Sequence, residues 1–150
     1  MGKRGPGAKP VRAVPIPPKP PRRRRQDGAT RAERVIAWCE GLTITSGAYA
    51  GRKLILRPWQ KDVIRRIYAT GPDGRRVDRT AVLSMGRKAG KSTLSAALAL
   101  CHLVGPEAVP RGQIIAAAAD RNQGAVIFNE LKAFALADPE IADRLIFREW

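Results

Sequence analysis

The stretch that most constrains this chain is Ser84-Met85-Gly86-Arg87-Lys88-Ala89-Gly90-Lys91-Ser92-Thr93. An apolar run, Thr80-Ala81-Val82-Leu83-Ser84, leads into it, and a helix-forming run over 94–104 leads out. A Gly-Lys-Ser at a strand-to-helix turn is an arrangement by which proteins hold nucleotide phosphates. Loop N–H groups cradle the oxygens, a lysine neutralises the outer phosphates, and the hydroxyl that follows ligates Mg²⁺. On that reading Lys91 holds the β- and γ-phosphates and Ser92 the metal. Gly90 lets the backbone approach closely, and Thr93 stands near the α-phosphate. Arg87 and Lys88 add two charges inside the loop. Arg87 is either a cis-acting arginine that stabilises transition-state charge or a solvated loop charge. The spacing is irregular, because the standard loop places its first glycine where Met85 stands and Gly86 comes one residue late.

The flanking sequence supports a parallel α/β arrangement. Residues 77–84 read as the strand that feeds the loop, and 113–119 as a second strand buried on both faces. The helix over 94–104 is apolar nearly all round (Leu94, Ala97, Leu98, Cys101, Leu103, Val104), as expected of a helix laid against a sheet. Gly105-Pro106 ends it. A further helix is expected over 122–137, with Ile127, Leu131 and Phe134 on one face, until Asp138-Pro139 breaks it. Strand, loop, helix, strand, helix is the parallel pattern.

Upstream, a short helix is expected over 30–40, with Thr30 as N-cap, Val35, Ile36 and Cys39 inward, and Gly41 as its stop. Residues 47–51 form a turn-rich link and 53–56 a short extended piece. Arg57-Pro58-Trp59-Gln60 opens the next helix, with proline suited to the first turn. Its Trp59, Val63, Ile64, Ile67 and Tyr68 recur at helical spacing and face the core. Gly71-Pro72-Asp73-Gly74 is a turn.

A length of 150 residues allows one domain with a real core. The net charge of +15 is concentrated at the start: Lys3, Arg4, Lys9, Arg12, Lys19 and Arg22 to Arg25 precede the first acid. Seven of the 12 prolines also lie in residues 1–28, so this segment is expected to be a disordered arm with polyproline character over 15–21. Charge of this sign favours polyanions, nucleic acid before anionic membrane, with a merely solubilising tail as the alternative. Cys39 and Cys101 lack metal-ligand spacing and read as reduced core thiols. No apolar stretch reaches the ~18 residues of a membrane span, and no apolar h-region follows the basic start. The expectation is a soluble, intracellular, non-secreted protein.

The loop resembles that of the large terminase subunits of tailed double-stranded DNA bacteriophages. Their deviant Walker A reads roughly Arg-Lys-x-Gly-Lys-Ser, here Arg87-Lys88-Ala89-Gly90-Lys91-Ser92, and a missing early glycine is normal among them. Leu56-Arg57-Pro58-Trp59-Gln60 is similar to the family's Leu-x-Pro-Trp-Gln, whose glutamine belongs to an adenine-recognition motif. The resemblance implies that Gln60 meets the base edge while Trp59 packs; the alternative for Gln60 is a helix-surface amide. Residues 116–123 look like the Ala-Ala-x-x-x-x-Gln strand and turn of the same fold. By that likeness Arg121 is a DNA-contact candidate, or else a helix-end charge.

Covering 33–150, the resemblance implies a P-loop NTPase fold of the RecA/ASCE kind: a parallel sheet with flanking helices, incomplete at the C-terminus. After the arm at 1–28, residues 29–150 would be the N-terminal part of an ATPase domain. The implied function is the ATP-binding portion of a motor that couples ATP hydrolysis to pumping double-stranded DNA into procapsids. Catalytic roles fall to Lys91 and Arg87, and ATP would be held by Gln60, Gly86, Arg87, Lys88, Ala89, Gly90, Lys91, Ser92 and Thr93, with Mg²⁺ on Ser92. The implied partners are DNA, the small terminase subunit and the portal protein, in a homo-oligomeric ring in the bacterial cytoplasm. Two other readings stay open, a superfamily-2-like helicase fragment and a basic nucleic-acid-binding fragment with a vestigial loop. No apolar strand ending in Asp-Glu follows, and Phe147-Arg148-Glu149-Trp150 does not supply one. A piece of a larger protein, or a truncated gene, is therefore expected, binding nucleotide but hydrolysing it poorly alone.

Overall fold

The computed structural model describes residues 28–148. The basic arm, apart from Gly28, lies outside the described residues, as do Glu149 and Trp150. Helix α1 spans Arg31–Glu40, and the Thr30 hydroxyl accepts the Glu33 N–H at 3.2 Å as an N-cap. Gly41 closes it, donating its N–H to Ala37 O at 3.2 Å. Val35, Ile36 and Cys39 are buried on its inner side, as their spacing requires.

Residues 42–54 double back around a 3-10 turn, Gly47–Tyr49. Ile44 N–H donates to Arg52 O at 2.8 Å and Leu54 N–H to Leu42 O at 2.9 Å. The extended piece expected over 53–56 thus amounts to one antiparallel bridge, Thr43 with Lys53. Helix α2 spans Pro58–Ile67 with the proline in its first turn. Ile64 and Tyr68 are buried, while Trp59, Val63 and Ile67 are half-buried. The turn at Gly71-Pro72-Asp73-Gly74 is formed, closed by Gly71 N–H on Arg75 O at 2.9 Å and by the bridge Thr70 with Arg76.

Helix α3 spans Lys91–Val104 and buries Leu94, Ala97, Leu100, Cys101 and Val104. It is less enclosed than its composition suggests, since Leu103 is exposed. Helix α4, Arg121–Leu136, is capped by Asp120, whose carboxylate accepts the Gln123 N–H at 2.9 Å. Its Leu131 and Phe134 are buried, with Ile127 half-buried. A short α5, Pro139–Ala142, follows under its own Asp138 cap. Packing runs α2 on α1, α1 on α3, α3 on α4 and α4 on α5, around one apolar cluster. Burial pushes the Cys39 and Cys101 thiols up to about 12, so both are inert core groups.

The sheet is where structure and expectation part. Among the described residues neither 77–84 nor 113–119 enters a β ladder; the β pairing consists of the two isolated bridges. Val82 is 88% exposed and Ile115 83% exposed. An apolar run has the side chains of a doubly buried strand, but a ladder needs a partner in register on its edge. These two runs do not serve as each other's neighbour. Apart from the Val77 N–H on Ala69 O at 3.1 Å, neither run makes a strand pairing among the described residues.

Candidate phosphate-binding site

The loop over 85–90 is shaped by two left-handed residues. Lys88 has φ 62° and Gly90 has φ 84°. Glycine takes that conformation freely; a lysine there carries a steric cost of roughly 1–2 kcal/mol. Gly90 is the N-cap of α3 and its carbonyl accepts the Leu94 N–H at 3.1 Å. Having no side chain, it leaves the N–H groups of Lys91, Ser92 and Thr93 without a cap. Helices α1, α4 and α5 satisfy such donors with Thr30, Asp120 and Asp138. The start of α3 therefore offers three backbone donors and the positive end of a helix dipole.

The charges carried by the loop and by the first turn of α3 are all positive. Arg87 and Lys88 are exposed, and no acid lies in the first turn of α3. Lys91 Nζ folds back over the loop, donating to Met85 O at 2.8 Å and Gly86 O at 2.7 Å. Those two carbonyls tether the ammonium to the loop. A Cβ built on Gly86 meets nothing within 4 Å, so the loop is open on that side. Ser92 is exposed at the second position of the helix. Backbone donors, a tethered ammonium and a nearby hydroxyl suit a nucleotide polyphosphate with Mg²⁺. Among the described residues no group of three or more His, Cys, Asp or Glu gathers to hold a metal ion.

Two expected site residues take unforeseen partners. The Thr93 hydroxyl donates to Glu130 Oε1 at 3.3 Å, tying α3 to α4 and leaving only its N–H for the loop. Gln60 is 5% exposed, so the helix-surface alternative falls away. Its Oε1 accepts the Arg57 N–H at 2.8 Å, and its Nε2 reaches Gly90 O at 3.4 Å. Neither Glu130 nor the Gln60–Gly90 contact was visible in local sequence, since each joins residues 30 or more positions apart. Arg121 opens α4, exposed, after the 113–119 run.

The family described as "Terminase large subunit, ATPase domain" matches residues 58–142, from the start of α2 to the end of α5. This chain belongs to the terminase large-subunit ATPase family. It is 41% identical over 115 residues to the "Terminase, large subunit" of Enterobacteria phage HK97, spanning 76% of this chain and 22% of that protein. The crystal structure of the HK97 bacteriophage large terminase matches at a TM-score of 0.67 and 39% identity, covering 77% of this chain and 22% of that one. The fold is accordingly that of a P-loop NTPase. Family membership also separates the terminase reading from the helicase one.

Proposed function

We propose that this chain supplies the ATP-binding portion of a phage DNA-packaging motor, the parent protein coupling ATP hydrolysis to entry of double-stranded DNA into procapsids. The observation that carries the reading is the uncapped start of α3, with Gly90 left-handed and Lys91 folded over the loop. The N–H groups of residues 91–93 bind phosphate oxygens, and the Lys91 ammonium exchanges the Met85 and Gly86 carbonyls for the β- and γ-phosphates. Gly86 and Ala89 complete the loop backbone. Ser92 is the residue that would hold Mg²⁺, which when bound would supply neutralisation of the phosphate charge. Arg87 and Lys88, at the rim, add positive charge where negative charge accumulates. The Gln60 amide, bonded at one end to the Arg57 N–H and at the other to Gly90 O, joins the site at the loop.

Basic surface and family together support DNA as the polyanionic partner, with the small terminase subunit, portal protein and an oligomeric ring as the wider assembly, in the host cytoplasm. No helix among the described residues is long and apolar enough to cross a membrane. The test is direct titration with a labelled, non-hydrolysable ATP analogue and Mg²⁺. Wild type should bind and Lys91→Ala should lose binding by at least about a hundredfold, a few kcal/mol of charge-assisted contact. Equal binding by the two proteins would leave the vestigial-loop reading standing.

A further inference from the structure

Gln60 is the one buried uncharged polar side chain in contact with the phosphate loop, among the described residues, and its amide is used at both ends. Oε1 caps α2 by accepting the Arg57 N–H at 2.8 Å. Nε2 sits against Gly90 O at 3.4 Å, and a Cβ added to Gly90 would come within 3.3 Å of that nitrogen. Gly90 O is the same carbonyl that accepts the Leu94 N–H and so starts the α3 ladder. One amide therefore joins the first turn of α2 to the turn that aims the donors of α3.

We infer that Gln60 is a positioning residue for the phosphate loop, holding the Gly90 peptide in the orientation that presents the N–H groups of α3 to phosphate. The inference rests on the phosphate-binding reading above and says what sets that site's geometry. An amide donor at Gly90 O fixes the 90–91 peptide plane, and with it the direction of the Lys91 N–H. It acts on the triphosphate end, whatever base the nucleotide carries. Glycine at 90 serves it twice, by accepting a left-handed φ and by leaving room for Nε2.

The discriminating variant is Gln60→Glu in the intact chain. Glutamate at this helix position keeps an acceptor for the Arg57 N–H, so α2 stays capped. It cannot donate to Gly90 O, and it sets a carboxylate against that carbonyl. Gln60→Ala would remove both contacts and confound capping with positioning. Two readouts decide. Native-state hydrogen exchange without ligand should show the Leu94 amide of the variant exchanging about tenfold faster, with Leu100 and Cys101 unchanged. Calorimetric titration with ATP, GTP and inorganic tripolyphosphate should show all three weakened by the same factor, about tenfold. Unchanged Leu94 exchange would overturn the inference. So would loss confined to ATP with tripolyphosphate retained, which would make Gln60 a reader of adenine. A wild-type chain that binds none of the three removes the phosphate site itself, and Leu94 exchange then still decides whether Gln60 holds Gly90.

Discussion

Lys88 adopts a left-handed conformation that glycine occupies without cost, yet the chain keeps a lysine there. Strain of this kind persists where the surroundings over-determine it, and it gathers at ligand sites. Substituting Lys88→Gly separates conformation from charge. The substitution relieves roughly 1–2 kcal/mol of steric strain and returns part of it as unfolded-state entropy. Denaturant unfolding should consequently show a stability within about 1 kcal/mol of wild type. Affinity for an ATP analogue should nevertheless fall by about fivefold, the worth of one solvent-screened charge near a phosphate. Undiminished affinity would show that Lys88 lends the site no charge and that the loop tolerates its φ for some other reason.

At the scale of elements, α1 to α4 were legible because each carries its own instructions, whereas α5 was not, since Asp138-Pro139 reads as a breaker and here caps a new turn. Thr30 and Pro58 start helices, Gly41 stops one, and apolar residues at helical spacing name the buried face. The turn that opens α3 at Gly90 was legible for the same local reason. The sheet was not, because ladders at 77–84 and 113–119 depend on neighbours rather than on the runs themselves. Contacts that tie elements together were equally silent in the sequence. Tyr68 at the end of α2 meets His102 of α3, hydroxyl to Nε2 at 2.8 Å, with the rings stacked. Nearby, Arg31 of α1 is clamped on the buried Glu107, and Arg76 lies over the Tyr68 ring. Burial holds the His102 pKa below its usual 6.5, helped by Arg76 and Arg31 and opposed by Glu107. A lowered folded-state pKa means the unfolded chain takes up the proton first. The stabilisation is therefore complete above pH 6.5 and is lost as pH falls below it towards the folded value. Thermal unfolding between pH 7.5 and about 5.5 should show a falling midpoint, and His102→Gln should flatten that fall. A His102→Gln slope equal to wild type would assign the acid sensitivity to other groups.

For the molecule as a whole, the deciding quantity is where the charge sits. Of a net +15, a large share belongs to a start that contains Lys3, Arg4, Lys9, Arg12, Lys19 and Arg22 to Arg25 and no acid before Asp27. The described residues pair several of their cations internally: Arg31 with Glu107, Lys61 with Glu40, Arg65 with Glu33 and Asp62, Arg66 with Asp78. A cation already facing a carboxylate displaces fewer counterions from DNA than one in a stretch of sequence that holds no acid. The arm should thus dominate the salt dependence of any DNA binding by this chain. Each phosphate neutralised contributes about 0.9 to the slope of log affinity against log salt on duplex DNA. Deleting residues 1–26 should lower that slope by several units in a fluorescence-anisotropy titration from about 50 to 200 mM salt, and should weaken binding most at the low end. ATP-analogue affinity should stay as it was, because the loop's own charges at Arg87, Lys88 and Lys91 are untouched. A slope that survives the deletion would move the DNA contact onto the rest of the chain, where the exposed Arg121 at the start of α4 becomes the first residue to substitute.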